Sequence, residues 1–166
     1  MHGLQETRRA RPLTLYAPLL LVAGVVLVLD QISKQLALDR LADAPIHLVE
    51  DAVSLRLTFN SGGAFSLLQG ASSFFLVATI VIVVLILIWA RRIEDISWAV
   101  GLGMVLGGGL GNLFDRVLRD TGGKVVDFVD LHVWPVFNLA DAAISLGVIY
   151  ILYLSFKEER SSPKAG

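Results

Sequence analysis

Four long apolar stretches dominate the pattern of hydrophobic and polar positions along the chain. They cover residues 13–29, 72–90, 96–114 and 136–156. Each is close to the length of about 20 residues that an α-helix needs to cross the hydrocarbon core of a membrane. The stretch 72–90 contains no charged residue and is followed directly by Arg91 and Arg92. The pattern therefore predicts an all-α membrane protein with four transmembrane helices, which form a single domain over residues 1–166.

The two longer connections, 30–71 and 115–135, are more polar but carry structural signals of their own. Residues 53–59 alternate strictly between apolar and polar side chains, which is typical of a half-buried strand. Residues 60–63, Asn-Ser-Gly-Gly, form a turn signal, and residues 124–131 favour a second strand. We therefore expect a small extracytoplasmic β element above the helical bundle.

The end of the first apolar stretch carries two opposite charges. Asp30 and Lys34 are four residues apart, so on a helix they would form a pair at its outer end. The following residues, 32–41, mix leucine and isoleucine with polar residues, which indicates a short interfacial helix. On this reading the ion pair is a structural feature of the helix end.

The distribution of basic residues favours an orientation with both termini in the cytoplasm. Four spans place the two termini on the same side of the membrane. The terminal tails and the 91–95 loop contain eight Lys or Arg residues, whereas the two longer loops contain six. Because cytoplasmic segments carry the excess of basic residues, we expect the two longer loops to lie outside the cell membrane.

The composition supports a membrane protein and excludes several kinds of site. The chain is 55% hydrophobic and 17% charged, with a mean hydropathy of +0.69, which is too apolar for a soluble domain of this length. A net charge of −1 gives no support for binding to nucleic acid. There is no cysteine, and the three histidines are scattered, so we expect no disulfide, no thiolate nucleophile and no metal site.

Polar residues are concentrated between Gly107 and Asp141, in the connection between the last two apolar stretches and at the adjoining ends of both. This stretch contains five aspartates, two asparagines and two arginines. Ionisable groups at membrane depth are costly and usually carry function. Asp141 is the clearest case, because an apolar run begins directly after it. Asp127 lies in Val-Val-Asp-Phe-Val, where burial of its carboxylate would raise its pKa.

Two such carboxylates, brought together in a partly dry site, share a proton near neutral pH. One can then activate a water molecule while the other donates a proton to a carbonyl oxygen, as in aspartic proteases. Spacing alone does not select the pair. For Asp127, a buried structural carboxylate is an equal alternative on physical grounds, and Asp115 beside Arg116 favours an ion pair. Asn112 and Asn138 could simply form hydrogen bonds between helices.

Five short motifs follow one another along this polar framework. They are residues 30–34 (DQISK), 59–65 (FNSGGAF), 108–116 (GGLGNLFDR), 126–128 (VDF) and 137–141 (FNLAD). In this order they resemble the motifs of lipoprotein signal peptidase, or signal peptidase II, a family of aspartyl endopeptidases of the bacterial inner membrane. The resemblance extends from about residue 13 to residue 156. One departure is Gly63, where the family pattern leads us to expect alanine.

The resemblance implies a role for each motif. Asp127 and Asp141 would form the catalytic pair. The residues that bind substrate would be Asn60, Gly62, Asn112, Arg116 and Asn138. Structural support would come from Asp30, Lys34 and Asp115. The family chemistry implies neither a metal nor an organic cofactor.

The resemblance also implies a substrate and a location. The substrate would be a prolipoprotein whose cysteine already carries diacylglycerol, and cleavage just before that cysteine would release the signal peptide. The enzyme would be a monomer that spans the bacterial inner membrane, contacts membrane lipid and binds no nucleic acid. Its active site would lie near the outer leaflet.

Two other functions account for fewer of these features. A small transporter or channel component would use Asp141 and Asn112 to line an ion path, but the polar residues cluster at the outer ends of the spans. It would also leave the motifs at 59–65 and 126–128 unexplained. An intramembrane protease of the presenilin type would have Tyr-Asp and Gly-x-Gly-Asp motifs on adjacent spans, and the chain has neither.

Overall fold

The computed structural model describes residues 12–50, 52–61, 72–93 and 95–161. Within them lie four long helices and three strands, which we number in chain order. The helices are α1 (Pro12–Arg40), α2 (Ser72–Trp89), α3 (Ile96–Val117) and α4 (Leu139–Ser161). The strands are β1 (Ile46–Val49), β2 (Val53–Asn60) and β3 (Val125–Asp130), and a single 3-10 turn, Ala90–Arg92, follows α2.

Three of the helices contain segments that are long and apolar enough to cross a membrane. These segments are Tyr16–Arg40, Ile96–Val117 and Leu139–Arg160, in α1, α3 and α4. A mostly helical chain with these segments and a small sheet agrees with the predicted class of membrane protein. The count of four spans stays a prediction.

The helices differ in extent from the apolar stretches that predicted them. α1 continues without a break to Arg40, so the expected interfacial helix is the last part of the same helix. No glycine or proline lies between Asp30 and Arg40 to end the helix. α3 extends to Val117, and Asp115 and Arg116 therefore lie on its last turn. α4 begins at Leu139 because the residues just before it pair with β3.

α3 lies between α1 and α4, and glycines permit its close approach to both. A Cβ atom added at Gly107 would lie 2.5 Å from the carbonyl oxygen of Ala23 in α1. One added at Gly108 would lie 2.5 Å from the carbonyl oxygen of Ala140 in α4. Small residues at membrane helix interfaces allow this kind of backbone contact. The core of the bundle, which includes Leu19, Leu102 and Leu106, is formed by α1, α3 and the end of α2.

The strands form one antiparallel sheet in the order β1-β2-β3. β2 and β3 confirm the strands that the alternation at 53–59 and the β-favouring residues at 124–131 predict. The pairing of β2 with β3 is irregular between Leu55 and Thr58, which interrupts the alternation. Burial also departs from the predicted pattern: Phe59 on the predicted apolar face is 45% exposed, whereas Ser54 on the other face is 2% exposed.

The segment after β3 folds back and returns the chain to the same strand. Val129 donates to the carbonyl oxygen of Phe137 at 2.8 Å, and Phe137 donates back to that of Val129 at 3.0 Å. His132 makes the turn with a φ of 58°, in the left-handed region that non-glycine residues rarely adopt. This pairing fixes the first residue of the 137–141 motif against β3 and places the start of α4 beside Asp127.

Candidate active site

Asp127 lies on β3 and is only 1% exposed. Two side-chain amides donate to its carboxylate: Asn60 Nδ2 to Oδ2 at 2.8 Å and Asn138 Nδ2 to Oδ1 at 2.7 Å. Burial, together with the negative charge of Asp141, raises the pKa of Asp127 to about 7. Asp127 therefore exchanges its proton close to neutral pH.

Asp141 lies on the first turn of α4, where Asn138 caps the helix. The backbone amide of Asp141 donates to Oδ1 of Asn138 at 2.9 Å, and Asp141 Oδ2 accepts from the backbone amide of Asn138 at 3.3 Å. This reciprocal pair is a capping box, which satisfies two amides that the helix itself leaves without partners. The spacing of asparagine and aspartate in the 137–141 motif therefore has a direct structural cause.

Asn138 links the two carboxylates. Its Oδ1 accepts from a backbone amide, which can only donate, so its Nδ2 group must point the other way. There Nδ2 donates to Asp127 at 2.7 Å and also reaches Asn112 Oδ1 at 3.1 Å. Asp127 on the sheet and Asp141 on α4 are thus held around the same asparagine, which is itself fully buried.

Asn112 on α3 contacts Asp141 from the other side. Its Nδ2 donates to Asp141 Oδ1 at 2.8 Å, while its Oδ1 accepts from Lys34 Nζ at 3.0 Å. Asn60 at the end of β2, Asn112 on α3 and Asn138 just before α4 therefore each place a side-chain amide against one of the two carboxylates.

Lys34 lies behind Asn112 and is completely buried. Besides Asn112, its ammonium group contacts Asp30 Oδ2 and Asp115 Oδ2, each at 2.9 Å. An ammonium group has three N–H donors, and these three oxygens accept them. We call Lys34, Asp30 and Asp115 the Lys34 cluster. A buried charge is tolerated when it is paired and its hydrogen bonds are satisfied, as they are here.

The Lys34 cluster also binds the backbone of the two elements that carry the carboxylates. Asp30 Oδ1 accepts from the amide of Ala140 in α4 at 3.0 Å. Asp115 Oδ2 accepts from the amide of Val126 in β3 at 3.1 Å. The neighbours of Asp127 and Asp141 are therefore fixed to one buried cluster.

The ion pair expected between Asp115 and Arg116 takes a different form. Among the described residues, Asp115 forms close ion pairs with Lys34 and with Arg119 Nε, at 2.9 Å each. The reason is geometric, because Arg119 lies four residues on, just past the end of α3, and reaches back to Asp115, whereas the adjacent Arg116 is rotated away from it.

Arg116 instead bonds back to its own helix near the two carboxylates. Its Nη1 donates to the carbonyl oxygen of Asn112 at 3.4 Å. The carboxylates of Asp141 and Asp127 lie close enough to interact electrostatically with its guanidinium. Within the described part of the chain, its buried Nε atom has no hydrogen-bond partner. Arg116 thus carries a donor that a substrate carbonyl could use.

The structure brings together nearly all of the residues that the sequence singles out. Asn60, Asn112, Asn138 and Arg116 surround the carboxylates, and Asp30, Lys34 and Asp115 support them. Gly62, which the resemblance assigns to substrate binding, lies outside the described residues.

Three neighbours of the site are not predicted by the sequence. Gln31 donates to Asp30 and Asp115, and Arg119 donates to Gln31 and Asp115. The four-residue spacing between Asp115 and Arg119 is the signal that could identify that pair. Thr58 lies opposite Asp127 in the sheet, with a buried hydroxyl that has no partner among the described residues. Nothing in the sequence pattern marks Thr58.

Comparison with known proteins gives a consistent result. The sequence profile of the family described as Signal peptidase (SPase) II matches residues 22–157. A lipoprotein signal peptidase of Rhodococcus jostii is 43% identical over 141 residues, which cover 82% of this chain and 71% of that protein. The protein of the same name from Caldicellulosiruptor bescii is 38% identical over 131 residues, covering 79% of this chain and 85% of that one.

Two solved structures are similar in fold as well as in sequence. Both are bacterial membrane enzymes determined by the in meso method, at 2.3 and 1.9 Å resolution. The first has a TM-score of 0.76 and is 28% identical, covering 89% of this chain and 92% of that chain. The second has a TM-score of 0.73 at the same identity, covering 84% and 92%.

Proposed function

The chain belongs to the signal peptidase II family, and we propose that Asp127 and Asp141 are its catalytic pair. As a member of that family it is a bacterial membrane peptidase that removes signal peptides from prolipoproteins. The observation that supports the pair most strongly is Asn138, which contacts both carboxylates while it caps α4.

In the proposed mechanism the two carboxylates divide acid and base work. Asp127, with a pKa of about 7, is protonated in a large fraction of molecules at neutral pH. Asp141, the less buried of the two, accepts a proton from water as the water oxygen attacks the carbonyl carbon of the scissile bond. Asp127 donates its proton to the carbonyl oxygen. When the tetrahedral intermediate collapses, the C–N bond breaks and the leaving nitrogen takes the proton that Asp141 accepted. The carbonyl re-forms as one hydroxyl of the intermediate returns its proton to Asp127.

Asparagines and an arginine position the reacting groups. Asn60 and Asn138 hold the two oxygens of Asp127, and Asn112 holds one oxygen of Asp141. The Nε atom of Arg116 would donate to a carbonyl of the substrate backbone close to the scissile bond. Positioning of this kind keeps the reacting atoms near attack distance.

The finer substrate assignment follows from the family resemblance and the location of the site. We propose that the substrate cysteine carries diacylglycerol and that cleavage occurs just before it. The carboxylates lie at one end of α3 and α4, so the lipid chains could stay in the bilayer while the scissile bond meets the pair. No metal is needed for this chemistry, and no metal-binding group of three or more ligands occurs among the described residues.

The orientation in the membrane is part of the same proposal. The helix α2, whose 18 residues are all uncharged, would also cross the membrane and bring the number of spans to four. Both termini would be cytoplasmic and the sheet would lie outside, which puts the carboxylates near the outer leaflet. α1 is about 44 Å long, more than the ~30 Å of hydrocarbon, so its end with Asp30 and Lys34 reaches the outer interface. The enzyme would act as a monomer.

The test of the catalytic pair is cleavage of a diacylated prolipoprotein in detergent micelles by Asp127→Asn and Asp141→Asn. Asparagine keeps the size of the side chain but cannot exchange a proton, and general acid–base catalysis contributes about 10²- to 10⁴-fold. We expect each variant to lose at least about 10²-fold in kcat. Asp39→Asn is the matched control, because Asp39 is an exposed carboxylate far along α1.

Thermal unfolding of each variant must accompany the rate measurement. A variant that stays folded and is inactive supports the pair. A folded variant of either residue that cleaves near the wild-type rate makes that residue structural. An unacylated version of the same substrate, cleaved as fast as the acylated one, would contradict the proposed lipid requirement and leave the catalytic pair intact.

A further inference from the structure

A second polar site lies at the end of the bundle opposite the carboxylates. It is a cavity of about 300 Å³ lined by Trp89, Arg92, Ile93, Asp95, Trp98 and Glu158. The rings of Trp89 and Trp98 pack edge to face with centroids 5.4 Å apart. The indole nitrogen of Trp98 donates to Glu158 Oε1 at 2.7 Å, which holds this carboxylate at the cavity. We call this cavity the tryptophan pocket.

An apolar groove joins the tryptophan pocket. It has a volume of about 540 Å³ and lies between α2, α3 and α4, with Ile82 and Ile86, Leu102 and Val105, and Val148 and Ile151 on its walls. Trp89 and Arg92 line both the groove and the pocket, so the two cavities adjoin.

The groove points along the helices towards the catalytic pair. On α3, the wall residues Leu102 and Val105 belong to a row spaced by three or four residues. The same row contains Gly109 and ends at the site residues Asn112 and Arg116. On α4, the wall residues Ile151 and Val148 belong to a similar row, which contains Ile144 and ends at Asp141. Residues at these spacings share one face of a helix. A single apolar helix in the groove would therefore have one end near the carboxylates and the other in the tryptophan pocket.

The pocket is suited to a cation. Its lining carries two carboxylates, Asp95 and Glu158, and one guanidinium, Arg92. Lys157 acts on Asp95 from outside the lining. The lining residues alone carry two negative charges and one positive charge, and Lys157 offsets part of the charge of Asp95. The two indole rings add faces that attract a Lys or Arg side chain.

We propose that the tryptophan pocket binds the basic amino-terminal segment of the signal peptide, while the apolar segment of that peptide occupies the groove. Signal peptides combine a positively charged start with an apolar core of 7–15 residues. The stretch of α3 from Asp95 to Asn112 is about 25 Å long, which a helix of about 17 residues spans. This length matches an apolar core with a few residues on either side. The inference rests on the proposed function and deepens it, because it gives the enzyme a contact at each end of the peptide.

The test compares two substrates with the full-length enzyme in detergent micelles. One prolipoprotein keeps its amino-terminal Lys and Arg residues, and in the other they are replaced by Gln. For the basic substrate, we expect Glu158→Gln to raise KM about two- to fivefold with kcat unchanged, the range of a partly exposed ion pair. For the neutral substrate it should have no effect. Glu159→Gln is the matched control, because Glu159 is an exposed neighbour that does not line the pocket.

Charge reversal makes the contact specific. Glu158→Lys should raise KM for the basic substrate further. For this variant, a substrate with Glu in place of its amino-terminal Lys should restore a low KM. Equal KM values for both substrates with every enzyme variant would overturn the proposal. If a Glu158 variant changed KM equally for both substrates, and only when aminophospholipid was added, the pocket would bind a lipid headgroup. That result would also overturn the proposal.

Binding separates this inference from the catalytic proposal. The same peptides can be titrated against the Asp127→Asn variant in a Trp134→Phe background, in which the tryptophan fluorescence comes from Trp89 and Trp98 alone. Tighter binding of the basic peptide that Glu158→Gln removes supports the pocket even if the catalytic assignment fails. Equal affinity for both peptides contradicts the pocket and leaves the catalytic pair untouched.

Discussion

Lys34 determines which way the amide of Asn112 points. The two side chains come from α1 and α3, and Lys34 Nζ lies 3.0 Å from Asn112 Oδ1. Because an ammonium group can only donate, the amide oxygen must face Lys34. The amide nitrogen then faces Asp141, to which it donates at 2.8 Å. A buried lysine thus orients a neutral side chain that contacts one of the two carboxylates.

Replacement of Lys34 by methionine should strongly destabilise the fold. Methionine has a similar length, but it leaves Asp30 and Asp115 buried without their shared counter-charge. Breaking a buried ion pair in this way costs about 3–5 kcal/mol. For a chain of this size we expect Tm to fall by about 6–20 °C in detergent.

The matched control for this change is Arg56→Gln, which removes the ion pair of Arg56 with Asp130. Arg56 is half exposed, so we expect a loss of less than about 1 kcal/mol. Similar Tm values for Lys34→Met and wild type would mean that the buried ion pairs of Lys34 contribute no net stability to the fold.

Asn138 should show separable effects on stability and on cleavage. Asn138→Ser keeps an oxygen that can cap α4 but loses the amide that donates to Asp127. Asn138→Ala loses both, and loss of an N-cap costs about 0.5–2 kcal/mol. We expect both variants to be slow in the cleavage assay and only the alanine variant to show the additional drop in Tm. If serine restored the cleavage rate, the contact with Asp127 would have no role in the reaction.

The raised pKa of Asp127 predicts a pH dependence of stability. The ordinary value is 3.8 and the folded value is about 7, so the folded state binds this proton more tightly than the unfolded state. The resulting stabilisation is present at low pH and is lost as pH rises from about 4 to 7. The Asp127→Asn variant lacks this proton-linked contribution, so its Tm minus that of wild type should increase between pH 5 and pH 8. A constant difference would mean that Asp127 keeps an ordinary pKa.

Gly111 should tolerate no side chain, although it lies in an ordinary helix. A Cβ atom there would overlap the carboxylate of Asp30, which is fixed by Lys34 and by the amide of Ala140. We expect Gly111→Ala to cost about 1–3 kcal/mol, the usual range for overpacking. Gly24→Ala in α1 is the control, because no atom lies within 4 Å of its added Cβ. It should be neutral or should stabilise the helix by about 0.5–1 kcal/mol.

The parts of the structure that the sequence predicts are those with a local signal. Length and hydropathy identify the helices, and alternation identifies β2. The capping box can also be read from the spacing of Asn138 and Asp141. β1 has no such signal, because its four residues are all exposed and carry no alternation of burial.

The contacts of the Lys34 cluster cannot be predicted from local signals. Lys34 and Asp115 lie far apart along the chain, and local reasoning pairs Asp115 with its neighbour Arg116. Only the packing of α1 against α3 brings Lys34 and Asp115 within 2.9 Å. The pairing of Asp127 with Asp141 likewise rests on family resemblance, since any two acids can be matched by spacing alone.

The arrangement of charges in the Lys34 cluster and the neighbouring Arg119 also bears on how the protein is inserted into the membrane. Asp30 and Lys34 are neighbours one turn apart on α1, and Asp115 and Arg119 are neighbours one turn apart in sequence at the end of α3. Each segment therefore carries an acid and a base together, and the two charges of each pair cancel. During synthesis α1 can enter the bilayer with this pair neutralised long before α3 has been translated, which avoids the cost of inserting an isolated charge. The contact between Lys34 and Asp115 then forms only when the two helices meet.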